Sequence, residues 1–483
     1  MANERTARVT EVEARSAAFR KELGVATLIL TQIMYVVGSG WVGTAAKLGP
    51  AHLVFWCLAI ALFYLPQAAV VIWLNRLMPL EGGLYQWASS GLGEFLGFMT
   101  AWNLWAYAVL IIATFGVMIA TNLAYLLQPA SGSVTLGAWY TPAVSATCIV
   151  ALTVVSLLGL RVGKWLQGIG GAAQILTYVG LVAVPFVMMS SGARISYHPL
   201  TVAMPTMSLF SLNIFGKMAL GAFSGFEYVA ILAGECRNPA RSIGTAVITA
   251  VPIIALMFIL GTDSVLAIVP QDRIDLVSPI PQTLSMGFHG LGFARLIAPA
   301  LILLLILRQI GNVSLVFAGN TRLPMVAGWD GLLPAWFTRL HPRFRTPHNS
   351  ILFVGVLTLA LAMAGQVGVG VQEAFQLLDN AAGILYAFCY LALFAIPIVG
   401  GGRLGVRPPP WLKLASAAGF GVTLLYSVLS IFPIVDVASW TVFAAKIIGT
   451  LVAANLVGVA IYQLGRRRAH SVMIAAPSKE STL

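Results

Sequence analysis

Charge is scarce in this chain: Asp, Glu, Lys and Arg make up 9% of its residues, against about 25% in an average soluble domain. A chain of 483 residues cannot cover itself with so little charge in water, so a set of soluble domains is excluded. Cysteine is scarce too. Cys57, Cys148, Cys236 and Cys389 show no metal or redox spacing, and three sit inside apolar segments, so they read as packing residues. The six histidines, His52, His198, His289, His341, His348 and His470, lie in loops, at segment ends or in the tail, away from any Asp/Glu cluster or nucleophile. No metal, no cofactor and no enzymatic chemistry are expected. The phosphate-cradling pattern G-x-x-x-x-G-K-[ST] is missing, so ATP-driven work by this chain is not expected either. The first twenty residues are polar and mixed in charge, without the apolar core and cleavage site of a signal peptide.

What the chain has instead is hydrocarbon. Hydrophobic residues make up 59% of it, and its mean hydropathy is +0.89. Twelve apolar segments are long enough to span a bilayer, near 23–46, 52–76, 92–127, 140–160, 165–190, 210–234, 243–269, 292–320, 350–366, 372–399, 411–433 and 437–464. The expected class is an all-α polytopic membrane protein with twelve transmembrane helices and the lipid bilayer as its first partner. Of 28 Lys and Arg, 21 fall in loops and tails on one side, five (Lys47, Arg194, Lys217, Arg273, Arg295) fall on the other side or near its span ends, and Arg308 and Lys446 fall inside spans. That bias predicts both termini in the cytoplasm and a multi-pass protein of the cell membrane. It also explains the net charge of +12 without nucleic acid as a partner.

Two stretches stand out. In the first span, Tyr35-Val36-Val37-Gly38-Ser39-Gly40-Trp41 puts two glycines around a serine at mid-depth, where a spanning helix most needs its internal hydrogen bonds. Either the helix breaks there, freeing amides and carbonyls for a zwitterion, or small residues let two helices approach closely. In the sixth, Gly221-Ala222-Phe223-Ser224-Gly225-Phe226-Glu227 repeats the pattern beside a carboxylate that costs roughly 2.5–3.5 kcal/mol on insertion scales. Matched breaks in spans one and six predict an inverted-repeat transporter with a midplane site. Other candidates for that site are Tyr107, among the aromatics Trp102 and Trp105 of a long third span, and Ser314, beside Arg308 and Asn312 in the eighth. Those aromatics read either as interface anchors and packing or as pocket walls. The last two spans, without breaks or buried acids, read as scaffold or an oligomer surface, so a monomer or a homodimer is expected.

These motifs, in this order, resemble the amino acid, polyamine and organocation permeases. The resemblance runs from about 18 to 430 and rests on G-S-G of the first span, Pro79 to Tyr85 with Trp87, Gly97-Phe98 and Trp102. It continues through Phe223 to Glu227, Glu235 with Asn238-Pro239, Asp330-Gly331-Leu332-Leu333-Pro334 and Thr346-Pro347. It implies a 5+5 inverted repeat with discontinuous helices 1 and 6 and two extra helices. The divisions are then a tail 1–22, a first repeat 23–200, a second repeat 201–400, spans eleven and twelve at 401–465 and a tail 466–483. It implies a substrate carboxylate on the amides around Ser39 and Gly40 and an amine near carbonyls of the sixth-span break. The match with the arginine/agmatine exchanger places that protein's gating tryptophan on Gly221, which argues against the same gate and against a long cationic substrate. Some proton-coupled relatives hold a lysine in the fifth span, where this chain has Gln174. Arg308 either supplies that fixed charge or is a structural partner of Glu227 or Asp379.

The expected function is secondary active transport of an amino acid or related amine by alternating access, coupled to a proton or sodium, or by exchange. Proton-coupled symport and exchange are favoured. A polyamine or organocation permease and a nutrient sensor built on a transporter fold stand as alternatives. The bulky groups near the breaks, with Glu227 as the one acid placed close to the pocket, predict a small or apolar substrate side chain.

Overall fold

The computed structural model describes residues 24–78, 83–127, 137, 139–158, 163–192, 195, 200–227, 238–288, 296–329, 333–334, 336–337, 339–342, 344 and 346–475. Tail 1–22 lies outside them, as do 476–483 of the expected tail 466–483. Every regular element among the described residues is helical. We number α1 Val25–Val36, α2 Gly40–Ala46, α3 Gly49–Leu77, α4 Gly83–Leu92, α5 Glu94–Leu127, α6 Tyr140–Leu157, α7 Gly163–Ser190 and α8 Leu209–Ala222. There follow α9 Pro239–Ile268, α10 Pro279–Gly287, α11 Ile297–Trp329, α12 His348–Gln366, α13 Val371–Val399, α14 Pro410–Leu429 and α15 Trp440–Ala475.

Among the described residues, ten helices are long and apolar enough to cross a membrane, and the bent pair α1–α2 makes an eleventh. The remaining expected span, 210–234, contains the shorter apolar helix α8, and residues 228–237 beyond it lie outside the described set. The bundle turns Phe186, Ile248, Leu303, Val356, Leu414 and Leu456 outward. Such a coat suits hydrocarbon, where helices satisfy their own backbone groups. Inside, α13 packs on α5, α14 and α4, while α11 packs on α7 and α5. After the second span comes α4, which is packed on the bundle through Leu84, Tyr85 and Trp87.

The first break is real: α1 and α2 meet at 53° across Val37, Gly38 and Ser39. Val37, with ψ 90°, leaves the helical region after closing one last bond to Ile33. In the sixth segment, Ser208 and Ser211 form a reciprocal capping box that starts α8. From Lys217 to Ala222 the helix widens into a π turn and ends at Phe223. Gly225 then takes φ +125°, a conformation only glycine holds without strain, and a Cβ there would lie 3.1 Å from the Tyr35 ring. The two breaks thus touch.

Helix α10, between the seventh and eighth expected spans, went unseen because it is nine residues long and too short for a span signal. Helix α11 runs on to Trp329, and the described residues between it and α12 form turns and bends.

Candidate functional site: a cavity where two helix breaks cross

A cavity of about 120 Å³, room for several waters, lies against both breaks. Tyr35, Gly38, Ser39, Gly40 and Trp41 line it from the first break, and Gly221 and Ser224 from the second. Helix α5, which packs on both α11 and α13, adds Tyr107, Ile111, Thr114, Phe115 and Met118. Helix α11 adds Arg308 and Asn312; α13 adds Phe375, Gln376, Asp379 and Tyr386.

The remaining expected site residues stand elsewhere. Val37 is buried off the cavity and turns its carbonyl to Arg308. Phe223 and Phe226 stack on Tyr64 at 4.2 and 4.9 Å, forming an aromatic wall with Trp56 behind the second break. The Gly225 amide donates to the Tyr390 hydroxyl at 2.8 Å. Glu227 is fully buried and accepts from Tyr386, which lines the cavity, and from Tyr390, which does not. Gln174 is buried in α7 with both ends of its amide unpartnered among the described residues. Ser314 donates to the Ile310 carbonyl and does not line the cavity. Asn312 does, because it stands one turn beyond Arg308, whereas Ser314, six residues on, turns to another face.

Carbonyls exposed by the breaks are largely taken by the protein itself. Arg308, 1% exposed, donates through one nitrogen to the Met34 and Val37 carbonyls at 2.9 and 3.2 Å. It is an ion-pair partner of neither Glu227 nor Asp379, contrary to one of the two expectations. Tyr178 donates to the Gly38 carbonyl at 3.3 Å. At the second break Gln67 bridges the Phe223 carbonyl (2.8 Å) and the Tyr390 hydroxyl (2.6 Å), and Gln32 donates to Phe226 at 3.5 Å.

A chain of polar side chains leaves Ser39 for the segment before α10. Gln309 reaches Ser39 Oγ at 3.5 Å, Asn122 donates to Gln309 at 2.7 Å, and Ser278 donates to Asn122 at 2.7 Å. Next to it Asp275 accepts from the amides of Val277 and Ser278 and from Tyr125. Burial raises the Asp275 carboxyl above its ordinary value, and those three hydrogen bonds pull it back. Leu276 of this segment lines the cavity and stands 3.3 Å from where a Gly40 Cβ would be.

Lys217 is a cavity residue absent from the sequence-based candidates. It was counted near the outer end of a span, yet it is 2% exposed, lines the cavity and donates to Asn380 Oδ1. The signal was present, since a segment starting at 210 puts residue 217 two turns inside. A lysine there costs roughly 2.5–3.5 kcal/mol on insertion scales, and one amide oxygen meets one of its three donors. Asp379 also lines the cavity, so Glu227 is not the acid nearest to it. Gly221 leaves no open space in place of a tryptophan: a Cβ there would lie 2.4 Å from the ring of Trp41, which fills the gap from α2.

A family model described as "Amino acid permease" matches residues 23–453. An uncharacterized transporter of Legionella pneumophila, lpg1691, is 25% identical over 381 residues, covering 78% of this chain and 81% of that one. The branched-chain amino acid permease BcaP of Bacillus subtilis is 23% identical over 385 residues, 75% of this chain and 78% of its own. Among solved structures, MhsT in complex with L-phenylalanine superposes with a TM-score of 0.58 at 14% identity, covering 85% of this chain and 98% of MhsT.

Proposed function

The chain belongs to the amino acid permease family, a family of membrane transporters for amino acids or related compounds, and on that premise we propose secondary active transport by alternating access. The observation that carries this is the cavity at two touching helix breaks. Backbone groups freed at mid-bundle can bind a zwitterion without a buried charge for each end. The substrate carboxylate sits on the amides of Ser39 and Gly40, and the amine lies toward the second break, where the Phe223 and Phe226 carbonyls are already engaged. The superposition with MhsT supports the 5+5 repeat, in which spans 1, 2, 6 and 7 move against the rest. Both termini are cytoplasmic in this reading.

Arg308 supports coupling to protons or exchange over sodium. Carbonyl ends of broken helices hold coupling cations, and here a tethered guanidinium already occupies the Met34 and Val37 carbonyls. Two fixed cations on the cavity wall, Arg308 and Lys217, also disfavour arginine and long polyamines by like-charge repulsion. Uptake of radiolabelled amino acids into proteoliposomes, with sodium present or replaced by potassium, tests the reading. Accumulation in both salts is expected. No uptake of any amino acid or amine would leave a sensor as the better account, and strict dependence on sodium would remove the role given to Arg308.

A further inference from the structure

Lys217 and Asp379 are an unfinished pair. Both line the cavity, one from α8 and the other from α13, and they do not join in an ion pair. Lys217 has three donors and Asn380 Oδ1 as its single hydrogen-bond partner among the described residues. Among the described residues Asp379 accepts no hydrogen bond and the neighbouring Asn380 Nδ2, which is buried, has no partner. The cavity lining therefore holds a cation with spare donors and an anion with spare lone pairs, brought near each other because Lys217 is bonded to the residue after Asp379.

Buried polar groups are expected to be paired, and charged ones most of all. A ligand can complete this pair in only a few ways. An anionic group satisfies Lys217 and is repelled by Asp379; a cationic group does the reverse. An apolar group leaves both unmet and strips them of water. A neutral group that carries an acceptor and a donor side by side meets both at once. From this we propose that Lys217 and Asp379 form a side-chain subsite of the transport cavity that selects a neutral dipolar group, a carboxamide above all. Its carbonyl oxygen accepts from Lys217 and its NH₂ donates to Asp379. The inference rests on reading the cavity as a transport site and replaces the apolar side chain expected from Glu227, since Glu227 does not line the cavity.

The test compares glutamine with methionine, which is of similar length but lacks the amide, and with glutamate and lysine as the two charged counterparts. Binding to the purified full-length protein is measured by thermal-shift titration and by uptake into proteoliposomes. Glutamine is expected to bind at least about tenfold more tightly than each of the other three, because a site built for hydrogen bonds rejects ligands that leave its charges unmet. In Asp379→Asn and in Lys217→Met the glutamine-to-methionine preference falls to about threefold or less. Methionine binding as tightly as glutamine in the wild type overturns the inference, as does an undiminished preference in either folded variant. Those results leave amino acid transport standing. If none of the four ligands binds or is carried, the transport reading loses its support as well.

Discussion

One methyl group at Gly221 tests the crossing of the two breaks. The Cβ of Gly221→Ala would lie 2.4, 2.7 and 2.9 Å from three atoms of the Trp41 ring, against ordinary contacts of 3.4 Å or more. A rigid indole must therefore retreat by about 1 Å, and overpacking of this kind costs about 1–3 kcal/mol. The cost has two outlets. If Trp41 stays, the folded state is destabilised by that amount. If the ring swings toward the cavity that it lines, ligand has to push it back, and about 1–3 kcal/mol reappears as roughly 5- to 150-fold weaker binding. Thermal unfolding and ligand titration of the same sample read both outlets. Trp41→Leu in the Gly221→Ala background relieves the clash, so the two substitutions couple in a double-mutant cycle by at least about 1 kcal/mol. Gly221→Ala with unchanged melting temperature and unchanged affinity would refute the packing argument, and so would strict additivity.

Arg308→Met strands the Met34 and Val37 carbonyls, at about 1–3 kcal/mol for an unmet buried group, and uptake drops at least tenfold, with Arg308→Lys intermediate. Wild-type uptake by Arg308→Met would show the guanidinium to be dispensable. Glu227→Gln shifts the pH profile of uptake, and Tyr386→Phe shifts it too, because that hydroxyl bonds Glu227 to a residue that lines the cavity. Two profiles that overlay the wild type at every pH would reduce Glu227 to a packing residue. On α11, Asn312→Ala weakens binding about fivefold, while Ser314→Ala stays within twofold; the opposite order would mean that the helix is turned differently in the working protein.

The breaks were legible in the sequence because glycine and serine at mid-span are local facts, and so was the burial of Glu227. The rotational setting of each helix was not. Ser314 and Asn312 are two residues apart and equally polar, and only the packing of α11 on α5 and α7 decides which one meets the cavity. Lys217 was misplaced for another reason: a lysine close to a span end carries the same charge bias as a loop lysine, although its distance from the segment start puts it inside. At Gly221 the sequence showed the missing tryptophan but not that the Trp41 ring, from another helix, packs against that position.

The residues alone were enough to show that this chain crosses a membrane many times, where two of its spans could break, and which family it resembles. All three follow from terms that add residue by residue: transfer of side chains into hydrocarbon, helix propensity, and the order of short motifs. Tertiary structure alone decided the partners. Arg308 meets carbonyls 271 and 274 residues away, Lys217 meets Asn380 across 163, and Glu227 meets Tyr386 across 159. Such pairs depend on which helix faces come together, and that is set by the packing of all the helices at once.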